Sequence, residues 1–335
     1  MKRSGISNFI IACALISFFA AFESISKKYS DSDKIKIGIL QFVEHEALDC
    51  SRKGFIDGLK ESKQMENIKV IYRNAQGDQS NCTLIANQFV AENCDLILAI
   101  ATPAAQSVAA VTSQISVLVT AVTNPKDINL VKSNEMPGTN VTGTSDLAPI
   151  AEQVKLVKKI NPKAKKLGIL FSSSEANSKY QSEIAIQEAE RIGLEPQIFT
   201  FSQMSEIQPV VESMAGKVDA IYTPTDNMVA SNMELISRIS SSFGIPVICG
   251  EDNLISKGAT ATYGINYYDL GKETSKQAEK ILINGMNPKY MPIKYASKNK
   301  LILNFEMINK LGIEISEDLK SELWMISLAI VINLT

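Results

Sequence analysis

Ile35-Lys36-Ile37-Gly38-Ile39-Leu40, together with the segment at 47–63, decides the fold. The six-residue run is rich in β-branched and apolar residues and reads as a strand. In 47–63, Leu48, Phe55, Ile56 and Leu59 recur at helical spacing and fall on one face. The same alternation continues with a strand at 68–72, a helix at 82–91, a strand at 95–100, a helix at 104–111 and a strand at 117–121. Short strands alternating with amphipathic helices specify a parallel sheet wrapped by helices.

Working outward, Pro137-Gly138-Thr139-Asn140-Val141-Thr142-Gly143-Thr144-Ser145-Asp146 interrupts the pattern, and its turn-forming composition reads as a crossing between lobes. A second series follows, with helices at 150–160, 177–192, 206–214 and 227–243 and strands at 167–171, 196–200, 219–222 and 246–249. A strand at 260–265, a helix at 268–284, a Pro-containing segment at 287–292, a strand at 301–304 and a helix at 306–311 suit a chain that recrosses and returns. The expected class is α/β, with two doubly wound, Rossmann-like parallel-sheet lobes joined by a multi-strand hinge. Residues 34–144 plus 264–290 are assigned to lobe 1, and 145–263 plus 291–320 to lobe 2. Residues 1–33 read as an export signal or anchor with a linker, and 321–335 as an atypical tail.

The length of 335 residues supports two lobes, since one domain usually takes ~100–200 residues. A net charge of -2 leaves no strongly basic face for a phosphate backbone, so no nucleic-acid partner is expected. Lys2 and Arg3 precede an apolar stretch from Phe9 to Phe22, the form of an export signal. Ile10-Ile11-Ala12-Cys13 superficially matches a lipobox, which leaves three fates open: lipidation at Cys13, cleavage after a small residue within 20–26, or retention as an uncleaved anchor.

The single histidine and the absence of a CxxC pair among five cysteines leave almost no ligands for a metal. Neither a metal nor a cofactor is expected. Cys50, Cys82, Cys94 and Cys249 read as small buried residues, with a Cys82–Cys94 bridge open in an oxidising compartment. Glycine-rich phosphate cradles are absent. His45 has no serine or cysteine nucleophile arranged beside it. It reads as surface or loop packing, and the chain is not expected to be an enzyme.

In open parallel sheets, ligands bind beyond the carboxyl ends of the strands. After the strand at 95–100, Thr102 can cap a helix with Pro103 in its first position, and free N–H groups there suit a carboxylate. The strand ending at Ala121 leads into Thr123-Asn124-Pro125. In the second lobe, the loops at 172–177, 222–227 and 249–253 bring Asp226, Glu251 and Asp252. Donors in one lobe and acids in the other are the pairing a free amino acid needs for its carboxylate and ammonium.

These loops are also recognisable as a set. Gln41-Phe42-Val43-Glu44-His45, Asn74-Ala75-Gln76-Gly77-Asp78, Ile100-Ala101-Thr102-Pro103-Ala104-Ala105-Gln106 and Thr120-Ala121-Val122-Thr123-Asn124-Pro125 resemble the TrpX-like ABC-transporter substrate-binding family. The likeness continues through Asn140-Val141-Thr142-Gly143, Ser174-Glu175-Ala176-Asn177-Ser178, Pro224-Thr225-Asp226-Asn227 and Ala261-Thr262-Tyr263-Gly264-Ile265, and covers about 34–315.

The resemblance implies a type I periplasmic-binding fold that closes on an aromatic amino acid and delivers it, as a monomer, to an ABC permease. It implies that Thr102, Ala104, Thr123, Asn124, Ser145 and Asp146 line the first lobe and hinge. Asn177, Thr225, Asp226, Asn227, Glu251 and Asp252 would line the second lobe. By analogy with branched-chain amino-acid binders, Glu251 or Asp226 would hold the ammonium, and Phe42 would stack on the side chain. Asn266 stands where relatives often carry Asp. The alternatives are a sensor or surface adhesin using the same fold, or an enzyme on this scaffold.

Overall fold

The computed structural model describes residues 34–62, 67–296, 299–317 and 319–321. The expected export segment with Cys13, and all of the expected tail except Ser321, lie outside the described residues. Lobe 1 runs β1 (Ile35–Gln41), α1 (Glu46–Glu61), β2 (Ile68–Asn74), α2 (Gln79–Ala91), β3 (Leu96–Ile100), α3 (Thr102–Val111), β4 (Ser116–Thr120) and β5 (Val141–Ser145). Lobe 2 runs α4 (Ile150–Ile160), β6 (Lys166–Ser172), α5 (Ala176–Arg191), β7 (Glu195–Phe201), α6 (Ile207–Ser213), β8 (Ala220–Thr223), α7 (Asn227–Ser242), β9 (Val247–Cys249) and β10 (Ala261–Ile265). The chain then returns to lobe 1 for α8 (Tyr267–Leu282) and β11 (Lys294–Tyr295), and ends in lobe 2 with β12 (Asn299–Leu303) and α9 (Phe305–Lys310).

The two sheets are built alike. From one edge they read β2-β1-β3-β4-β5-β11 and β7-β6-β8-β9-β10-β12, so the fifth strand of each series stands in the same place. All pairings are parallel except β10 with β12. β3 and β4 are buried almost throughout and nearly continuous in apolar side chains, as expected of strands covered on both faces. Lobe 1 holds one apolar core around Ile37, Phe55, Phe89 and Leu98. Lobe 2 holds two, one around Val154, Leu167 and Tyr222 and one around Ile207, Ile221 and Met233.

α8 is fixed to lobe 1 by close approach rather than by large side chains. A Cβ on Gly54 of α1 would collide with the Tyr268 carbonyl, and one on Gly271 would collide with the Ser51 carbonyl. Tyr267, Leu270, Ala278 and Ile281 of α8 then complete the lobe 1 core.

Two sequence expectations are corrected here. The Gly/Thr/Ser-rich stretch is not wholly a crossing, because Val141–Ser145 is a fully buried strand. Its hydroxyls are satisfied inside the lobe: Thr142 donates to the Met291 carbonyl (2.7 Å), Thr144 meets Thr274 (2.8 Å), and Ser145 donates to the Thr123 carbonyl (2.6 Å). Gly143 gives the close backbone approach, since a Cβ there would strike Val119. The crossing starts only at Asp146. Residues 291–295 also stand with lobe 1 rather than lobe 2, because Met291 and Ile293 join its core and β11 pairs with β5. Conversely, Gly264 and Ile265 end β10 in the lobe 2 sheet.

The cysteines of the described residues are free, with Cys82, Cys94 and Cys249 buried and Cys50 partly so. The Cys82–Cys94 bridge is not formed.

Candidate functional site

Every strand-to-helix turn that carries a polar residue toward the other lobe lies at a strand's C-terminal end. A pocket between the lobes is walled from lobe 1 by His45 and Leu48 after β1, Ala121 after β4 and Asp146 after β5. From lobe 2 it is walled by Asn177 after β6, by Thr225, Asp226 and Asn227 after β8, and by Glu251 after β9. Tyr267, first residue of α8, closes the hinge side. The lobes are in contact, and the space open to the centre of a water-sized sphere is ≈ 10 Å³, room for about one water.

The lobes touch through polar side chains. His45 Nε2 lies 3.1 Å from Asn227 Oδ1. Because the Asn227 amide nitrogen is committed to Glu175, its oxygen accepts and the His45 ring donates. Burial holds His45 down at about pKa 4, against a smaller opposing effect of this hydrogen bond. The imidazole is therefore neutral at pH 7. Thr123 meets Thr225 across the cleft at 3.5 Å, and Gln181 donates to Thr123 at 3.3 Å. At the hinge, Tyr267 donates to Asp146 Oδ2 (2.9 Å) and Thr123 to Asp146 Oδ1 (3.1 Å), tying the two lobe crossings together.

Four carboxyl side chains are buried here: Asp146, Glu175, Asp226 and Glu251. None has an ion-pair partner among the described residues. Burial raises the pKa of all four. They differ in how their oxygens are used. Asp226 caps α7, accepting from Val229 N (2.9 Å) and Ser172 N (2.7 Å). Glu175 accepts from Asn227 N and Met228 N, both at 3.2 Å.

Glu251 is the exception, because its Oε2 is buried and has no partner. It is raised well above the usual carboxylate range by burial and then by the repulsion of Asp146, Asp252, Asp226 and Glu175. Asn177 Oδ1 is likewise buried and unpartnered, while its Nδ2 donates to the Thr225 carbonyl at 3.0 Å.

Of the residues expected at the site, Asp146, Asn177, Thr225, Asp226, Asn227 and Glu251 line this pocket. Thr123 stands just behind it on Asp146. Ser145 ends β5 with its hydroxyl turned to the backbone. Thr102 and Ala104 are buried in the first turn of α3, which starts without a side-chain cap. Asn124 accepts from Asn134 at 3.1 Å, and Asp252 opens the turn after Glu251 with its carboxyl raised to about 6 by burial. Phe42 lies in the lobe 1 core and does not line the pocket in this arrangement. Asn266 caps α8 by accepting from Asp269 N at 3.0 Å.

Sequence reasoning missed His45, Leu48, Ala121, Glu175 and Tyr267. His45 is buried between the lobes rather than on the surface. Ala121 has φ 55 and Ala101, at the end of β3, has φ 81. Such backbone costs about 1–3 kcal/mol at a residue with a Cβ and gathers at functional sites. No side-chain pattern signals it.

Two lobes of one topology, linked by repeated crossings and closing on a polar pocket, define a binding protein of the type I periplasmic fold. The family model for the ABC transporter substrate binding protein matches residues 36–323, and the chain belongs to that family. It is 39% identical over 294 residues to the tyrosine-binding protein of Clostridioides difficile strain R20291, covering 87% of this chain and 85% of the relative. The structure of an ABC domain in complex with L-Trp from Streptococcus pneumonia superposes with a TM-score of 0.84 at 38% identity, covering 87% and 98% of the two chains. The ligand-free, open structure of a substrate binding protein with adhesive properties from Clostridium difficile gives 0.66 at 40% identity, covering 84% and 96%. With its lobes in hydrogen-bonded contact around a pocket of ≈ 10 Å³, the present arrangement is a closed one.

Proposed function

We propose that this substrate-binding protein captures one aromatic L-amino acid between its lobes, outside the cytoplasm, and presents it as a monomer to an ABC permease, without chemistry or cofactor. The observation that carries the reading is Glu251, a buried carboxyl with a free oxygen in a pocket of acids that has no cation of its own. A buried carboxylate needs a paired charge, and a ligand ammonium is one. Asp146, fixed by Tyr267 and Thr123, is near enough to push the Glu251 carboxyl up further, a repulsion that a cation would relieve.

The ligand carboxylate goes to lobe 1. β3 lies between β1 and β4, so the uncapped N-terminus of α3, with Thr102 and Ala104 in its first turn, stands between the pocket-lining turns at His45 and Ala121. Unsatisfied N–H groups at such an end bind anions. Leu48, Ala121 and the His45 ring offer the side chain its least polar walls. The named ligands of the relatives, tryptophan and tyrosine, support the aromatic class. Because the closed pocket admits only about one water, capture starts from lobes further apart.

A thermal-shift panel of the twenty amino acids tests this reading, because a ligand that binds only the folded state raises its stability. Tryptophan, tyrosine or phenylalanine is expected to raise the melting temperature; no shift with any of them would remove the assignment. The relative with adhesive properties favours a second reading, an added role in attachment, which binding of the purified protein to host-type surfaces would test.

A further inference from the structure

Two residues that line the pocket each carry a buried acceptor with no donor, and they come from different turns of lobe 2. Glu251 Oε2 follows β9, and Asn177 Oδ1 follows β6. β8 lies between those strands in the sheet. Both turns nevertheless reach Thr225, since Asn177 Nδ2 donates to its carbonyl (3.0 Å) and Gly250 packs against its backbone. The two acceptors differ in kind: an ionised Glu251 carboxyl calls for a cation, whereas the Asn177 amide oxygen is neutral and is satisfied by a neutral N–H or O–H. The orientation of the Asn177 amide is fixed independently, since Nδ2 donates to the Thr225 carbonyl and to Glu175. Its oxygen is therefore the atom left facing the pocket.

Resting on the reading of the pocket as an amino-acid site, we propose that Asn177 selects the ligand's side chain. Glu251 takes the ammonium, and Asn177 Oδ1 accepts a hydrogen bond from a donor on the aromatic ring. The selected class is an aromatic amino acid carrying an N–H or O–H, and phenylalanine is discriminated against. A buried acceptor left unpaired by a ligand that has displaced its water is unfavourable, whereas one paired by the ligand is not. Sites built around such a bond reject the analogue that lacks it. Tryptophan and tyrosine, the ligands named for two relatives, both carry a ring donor.

The test is calorimetric titration of the full-length protein with L-tyrosine, L-tryptophan, L-phenylalanine and the tryptophan isostere in which sulfur replaces the indole N–H, repeated with Asn177→Leu. Donor-bearing ligands are expected to bind at least about tenfold tighter than phenylalanine and the isostere, and Asn177→Leu is expected to erase that margin. Phenylalanine or the isostere binding as tightly as its partner overturns the proposal while leaving the amino-acid site standing. A margin that survives Asn177→Leu assigns the acceptor elsewhere and overturns the role of Asn177. Equal loss for all four ligands makes Asn177 an ammonium contact, which also overturns it. Failure of every amino acid to bind overturns the site reading and this proposal together. If Asn177→Leu does not fold, the tryptophan–isostere pair on the unaltered protein still decides whether a ring donor is read.

Discussion

At the scale of single residues, Glu251 and Asp226 look equivalent in sequence, each an acid just past a strand of the second lobe. Hydrogen bonding separates them. Asp226 spends both oxygens on backbone N–H groups, whereas Glu251 keeps one free. Asp226→Ala is therefore expected to act mainly on stability, by about 2–4 kcal/mol from a lost helix cap and an orphaned Ser172 N–H. Urea unfolding measures it, and an unchanged midpoint would remove the capping role. Glu251→Gln is nearly isosteric and is expected to leave the fold intact while weakening amino-acid affinity by about 1–3 kcal/mol. Calorimetry on the same preparation reads this, and wild-type affinity would place the ammonium elsewhere. Glu251 and Asp226 were legible because acidic residues at strand ends stand out, whereas Glu175, also past a strand, was missed. His45 was missed as well, because burial between lobes is a property of closure that no local pattern carries.

At the scale of elements, the strand–helix alternation was legible from periodicity alone, and the main elements fall within a few residues of expectation. β5 was not, since Val141-Thr142-Gly143-Thr144-Ser145 has the composition of a loop. Only its partners, Met291, Thr274 and the Thr123 carbonyl, make buried hydroxyls acceptable, and those partners are distant in sequence. β11 has two residues and offers no period at all. The contact of α1 with α8 was equally hidden, because it is built from glycines. Gly54→Ala and Gly271→Ala each gain helix propensity of up to ~1 kcal/mol but force two backbones apart. A net destabilisation of about 1–3 kcal/mol is expected, read from chemical unfolding. A stabilised variant would show that the helices do not meet in this way.

At the scale of the whole molecule, the two lobes make one electrostatic unit when closed. Asp252, raised to about 6, holds a proton in the folded chain between its ordinary value near 4 and pH 6. Stability from it is thus lost as pH rises through that window. Asp146, Asp226 and Glu251 are shifted in the same direction. His45, lowered to about 4, acts oppositely, losing stability as pH falls from about 6.5 to 4. With several acids against one imidazole, the ligand-free protein is expected to melt higher at about pH 5 than at about pH 8. The stabilisation by ligand should be larger at about pH 8 than at about pH 5, because acids with raised pKa values ionise further as pH rises and an ammonium pairs with the ionised form. Melting curves at both values, with and without ligand, check both signs; a ligand effect larger at the lower pH would reverse the assignment.

The central claim is that closure buries an aromatic amino acid against Glu251. Calorimetric titration of the purified protein with L-tryptophan and L-tyrosine at neutral pH tests it most directly. One-to-one binding of at least one of them, strongly weakened in Glu251→Gln, is the expected result; no heat from either, or binding indifferent to Glu251→Gln, would contradict it.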